Sequence, residues 1–158
     1  MLDQLQLEKS VRKILARVKT GGDKAVKKFT KQFDAVSVRQ LRVSEKEISQ
    51  APKLIDAPLR EAIKVAASNI ERFHAAQRYE EPVIETMPGV RCWRRSVAID
   101  KVGLYIPGGT APLFSTVLML GIPARLAGCR EIVLCTPPQK DGSIHPAILF
   151  AAQVAGIT

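Results

Sequence analysis

Residues 103–119 read GLYIPGGTAPLFSTVLM, and the fold turns on how they are read. A β-rich run from Val102 to Ile106 meets Pro107-Gly108-Gly109, then a small-residue passage, then a strongly apolar run. Strand, glycine turn, helix is the layout that holds phosphates in many nucleotide-binding proteins, and also the layout of any tight βα turn. The spacing is neither G-x-G-x-x-G nor G-x-x-x-x-G-K-[ST], because no lysine follows the glycines. The turn still offers chemistry. Gly108 and Gly109 lack a Cβ and let a ligand approach the backbone. Successive N–H groups from Gly108 to Thr110 can form an anion-binding nest. Ser115 falls near a helix N-terminus, a place for negative charge. Tyr105 ends the strand, at the edge where open α/β sheets bind ligands. Two uses stay open for it: a ring against an adenine or nicotinamide, or a place in the core.

Outward from this stretch the pattern continues as β-α-β-α. The helix is expected over Ser115–Ala127, apolar on nearly all sides and so deeply covered. Gly128 stands where a C′ glycine belongs. Val102–Ile106 reads as a buried-type strand, and Glu131–Thr136 (EIVLCT) as a second short strand, broken by Pro137-Pro138. His145-Pro146 opens another helix, with proline at or near its first position, closing at Gly156. This is the start of a parallel open sheet. Two strands and two helices leave a sheet edge and an apolar helix face uncovered. The expectation is a chain cut within a domain, or one completed by a partner.

Upstream the chain is helical. Val11, Ile14, Leu15 and Val18 recur at helical spacing over about 4–20, ended by Gly21-Gly22. Asp23 is the expected N-cap of a second helix with Val26, Phe29 and Phe33 on one face. Residues 34–43 are a short strand or an extended loop. Ser44-x-x-Glu47 matches a capping box and starts a short helix limited by Pro52. Asp56-Ala57-Pro58 starts a longer one with Leu59, Ile63, Ala66, Ile70 and Phe73 on one face, running to about Arg78. Val83–Thr86 and Val90–Ile99 flank the turn Met87-Pro88-Gly89 and predict an antiparallel hairpin. Trp93 is expected to pack between sheet and helix.

The bulk numbers bound the function. The 158 residues are 46% hydrophobic but 5% aromatic, so a core must be aliphatic. The 24 basic residues outweigh 15 acidic ones, and nine of the basic residues fall within 1–31. That excess reads as a solvated helical face, with nucleic acid or an acidic partner as the competing reading. Three cysteines without C-x-x-C spacing make a poor disulfide framework and fit a reducing cytoplasm. His74 and His145 each lie alone and read as surface or capping histidines, with no zinc-site pattern. Glu80-Glu81 is a carboxylate pair whose side chains diverge on an extended segment. Pro123, Arg125 and short length argue against a membrane span at 113–127. On the residues alone, the reading reaches a ligand-binding α/β unit and no reaction.

The run VGLYIPGGTAPLFSTVLMLGIPARLAGCREIVLCTPP closely resembles the signature region of the histidinol dehydrogenase family. TGGDKAVKKFTKQFD, NIERFHAAQ and ETMPGVRCWRR resemble the stretches that precede it. The resemblance implies a fold class of α/β type. A helical N-terminal segment and β-hairpin, residues 1–100, would be part of a first α/β domain. Residues 101–158 would be an incomplete Rossmann-like, NAD-contacting domain. It implies a homodimeric, zinc-dependent enzyme that oxidises L-histidinol to L-histidine in two NAD-linked steps, which joins the cytoplasmic setting read from the cysteines. It places Tyr105, Pro107, Gly108 and Gly109 against NAD. The family's catalytic Glu-His pair, zinc ligands and most substrate contacts lie downstream of the matching region. No catalytic or metal residue is therefore assigned, and the chain alone is expected to be inactive. Nucleic acid and membrane are not expected partners of the enzyme. The alternative is a non-catalytic basic binding module, or a degenerate fragment, contacting nucleic acid or an acidic partner.

Overall fold

The computed structural model describes residues 4–108 and 111–157. They fall into two compact units: the residues up to Ser44 with Pro137–Ile144, and Glu45–Thr136 with His145–Ile157.

The first unit is built on α1 (Gln4–Asp34), whose helix is broken inside at Gly22, with φ 51° and ψ −140°. Only glycine enters that region without a side-chain clash, so the Gly21-Gly22 pair divides the helix as its sequence predicts. No residue of α1 is fully buried. In the second half Phe29 and Phe33 stack at 5.7 Å between ring centroids. Residues 35–44 are loop, without a strand. Lys27 Nζ holds that loop by donating to the Arg39 carbonyl at 2.6 Å. Val36 is buried, with its Cγ1 3.7 Å from the position a Cβ would take on Gly142.

The second unit carries most of the core. α2 (Glu45–Gln50) runs into a 3-10 turn, Ala51–Lys53, where Pro52 sits. α3 (Ala57–Ala75) starts at Asp56, whose Oδ1 accepts from the Leu59 N–H at 2.8 Å. Ile63 and Ala67 are the buried positions of α3, while Phe73 at the end of the expected apolar face is exposed. The helix stops three residues short of Arg78.

β1 (Ile84–Met87) and β2 (Val90–Cys92) form the antiparallel hairpin, turned at Gly89 with φ 82° and bulged between Glu85 and Met87. The second strand is shorter than expected, and both strands are exposed throughout. Trp93 lies beyond the hairpin and is 62% exposed, so it does not pack between sheet and helix. Glu81 is ion-paired with Arg94 across the base of the hairpin, a tie that its extended setting did not announce.

β3 (Lys101–Tyr105) and β4 (Glu131–Cys135) are parallel and in register, from Lys101 opposite Glu131 to Tyr105 opposite Cys135. α4 (Phe114–Leu126) links them, and α5 (Pro146–Ala155) follows. The fold class is therefore α/β: helices and a hairpin, then β-α-β-α with a parallel pair. α4 packs on α3 and α5 and touches both strands. Val117, Leu118 and Ile122 of α4 are buried, and most of α5 is buried as well. Gly121 permits the close α4–α5 approach, since a Cβ there would sit 2.9 Å from the Ala155 Cβ.

Two burial expectations are corrected. β3 and β4 are covered on one face only: Val102, Leu104, Ile132 and Leu134 are buried or half-buried, and the alternate residues are exposed. α4 leaves Met119 and Leu120 exposed, so it is not sealed on all sides. Apolar runs report the need for cover; the described residues supply it on one side.

Candidate functional site

The site is built where β3 ends. In a parallel pair, directly paired residues share a face. Lys101, Gly103 and Tyr105 of β3 therefore line up with Glu131, Val133 and Cys135 of β4 on the open face. Lys101 Nζ reaches Glu131 at 2.7 Å across the ladder and pins the register. That hydrogen bond, then the carboxylate charge, raises the Lys101 ammonium above its ordinary pKa.

Tyr105 stands at the carboxyl end of this face, 63% exposed. Among the described residues nothing packs over the Tyr105 ring enough to bury it. The next residue points inward: Ile106 is fully buried, and its N–H donates to the Cys135 carbonyl at 2.9 Å. This bond carries the pairing one step past the strand and fixes where the chain leaves the sheet. Pro107 and Gly108 follow at once and are exposed. Gly109 and Thr110 lie outside the described residues, and with them the nest expected from Gly108 to Thr110.

α4 begins six residues beyond Gly108. Its N-cap is Leu113, which provides no side-chain cap, and its first turn has no acidic residue. The first-turn N–H groups of a helix have no intrahelical acceptor. With no side-chain cap from Leu113 and no acidic residue in the first turn, the helix terminus favours an approaching anion. Ser115 is in that first turn, as expected, and it is exposed. Exposed ring, turn and helix start thus come from adjacent stretches of one βα connection.

The histidines lie elsewhere. His145 is the N-cap of α5: its Nδ1 accepts from the Ala147 N–H at 3.1 Å. His74 Nδ1 lies 2.7 Å from Gln77 Oε1, and its ring meets Phe73 edge-on at 5.2 Å. Sequence reasoning missed Cys135, which the ladder sets beside Tyr105. The opposite charges opening the two strands, Lys101 and Glu131, were the available clue to that register.

For a bound group, the donor chemistry decides. An exposed aromatic ring, the Gly108 backbone and a helix start without an acidic residue fit an anionic cofactor that carries planar heterocycles, such as a dinucleotide. A metal is different: among the described residues no three of His, Cys, Asp or Glu come together, so they do not fit the zinc that the resemblance implies. Among the described residues, no helix is long and apolar enough to cross a membrane.

A parallel β-α-β-α unit with a glycine turn at its carboxyl edge defines an open α/β protein of Rossmann-like type. Comparison with known proteins narrows this. The family model for histidinol dehydrogenase matches residues 1–158. A histidinol dehydrogenase of Bacteroides fragilis is 55% identical over 158 residues, all of this chain and 37% of the relative. One from Xylella fastidiosa is 47% identical over 153 residues, 97% of this chain and 36% of the relative. The crystal structure of histidinol dehydrogenase from Elizabethkingia anophelis superposes with a TM-score of 0.93 at 50% identity, covering 99% of this chain and 36% of that one. The chain belongs to the histidinol dehydrogenase family. It spans little more than a third of the length of the curated relatives it matches.

Proposed function

We propose that these residues are the N-terminal portion of an L-histidinol dehydrogenase that oxidises L-histidinol to L-histidine in two NAD-linked steps, the last of histidine biosynthesis. The observation that carries the reading is the family match across every residue of the chain, at 55% identity to a relative of that name. The proposed setting is a cytoplasmic homodimer. Residues 1–100 belong to its first α/β domain, and 101–158 are an incomplete NAD-contacting domain.

In this reading Tyr105, Pro107, Gly108 and Gly109 hold the cofactor. The Tyr105 ring, already free of the core, gives a flat surface for a heterocycle and a hydroxyl for a ribose or phosphate. Pro107 fixes the turn as the chain leaves β3. Gly108 and Gly109 let the cofactor reach the backbone, and the start of α4 faces negative charge without a competing carboxylate. Bound NAD supplies the hydride acceptor for both oxidations. The base, the zinc ligands and most substrate contacts are assigned to sequence beyond these residues, as the family resemblance implies. The 158-residue chain by itself is therefore inactive.

The test uses the product of the complete reading frame that holds these residues. Histidinol-dependent reduction of NAD is expected. Tyr105→Ala in that product should raise KM for NAD about ten-fold, the size of one lost aromatic contact. The purified 158-residue chain should give no turnover above background. Absence of histidinol oxidation by the complete product would overturn the reading, and so would turnover by the chain alone. An unchanged KM in Tyr105→Ala would remove Tyr105 from the cofactor site.

A further inference from the structure

We draw no further inference here: the strongest candidate, the exposed apolar stripe of Leu7, Val11 and Leu15 on the N-terminal half of α1, lies among basic side chains but nothing in the structure shows what covers it.

Discussion

Asp56 shows how one side chain sets an element. Its carboxylate accepts from the Leu59 N–H at 2.8 Å, satisfying one of the donors that a helix start leaves open. Asp56→Ala should cost about 1 kcal/mol of unfolding free energy in urea, while Asp56→Asn, which keeps the acceptor, should cost much less. Equal losses in the two variants would show that the cap contributes nothing. Asp141 makes a different local bond. Its Oδ1 accepts from the Ser143 hydroxyl at 2.7 Å and from the Ser143 N–H at 2.9 Å. The hydroxyl first, then the backbone donor, holds this carboxyl below the usual carboxylate range. A depressed folded value means that the stabilisation is present above the ordinary carboxylate pKa and fades as pH falls through the folded value. Ser143→Ala removes the larger cause, so an NMR titration should find the Asp141 midpoint moved up towards its ordinary position. A midpoint that stays put would refute the assignment. Lys101 has the opposite sign: its raised value makes the Glu131 pairing present below the ordinary lysine range and lost as pH rises through the folded value. Both groups lie fully at the surface, so these effects belong in titration curves.

At the scale of elements, α4 against α5 is the contact that organises the larger unit. Gly121 and Ala155 are both buried where these helices meet. A Cβ added at Gly121 would lie 2.9 Å from the Ala155 Cβ and 3.1 Å from Ile157 Cδ1. A Cβ has no rotamer by which to yield, so the helices must separate. Gly121→Ala should therefore destabilise by about 1–3 kcal/mol, read as a lower denaturation midpoint. Gly103→Ala is the control, because nothing lies within 4 Å of its added Cβ. Equal midpoints for the two variants would refute the packing argument. The helices, hairpin and parallel pair were legible because their signals are local. Asp56 caps α3, Pro146 opens α5, and Gly128 and Gly156 follow α4 and α5 at φ 90° and 76°. Local patterns carry less about cover. The sequence marks Trp93 and Phe73 as apolar, but whether anything packs on them depends on partners far along the chain or outside it. That is why the burial of Trp93, β3 and α4 was misjudged while the existence of the hairpin, the parallel pair and the helix was not.

At the scale of the whole molecule, the site was half legible for the same reason. Tyr105-Ile106-Pro107-Gly108 can be read as the end of a strand and a turn, but the open face on which Tyr105 lies appears only when β4 is set beside β3. Cys135 enters by that pairing alone. The open face also has a physical consequence. Parallel sheets are ordinarily covered on both faces, yet Tyr105, Val133 and Cys135 are exposed together. In the same unit Trp93, Val97 and Ile99 are exposed in a run that has no regular pairing. Exposed apolar surface of this kind favours association when no partner is present. The 158-residue chain should therefore bind a hydrophobic dye in its folded state and sediment as larger species when concentrated. Trp93 is the only tryptophan, so its fluorescence reports the local outcome. Its emission should shift to the blue as the chain associates and return to that of a solvated indole on dilution, if the 93–99 run takes part. Sedimentation as a monomer at every concentration, without dye binding, would show that the open face and the exposed run are stable in water as they stand.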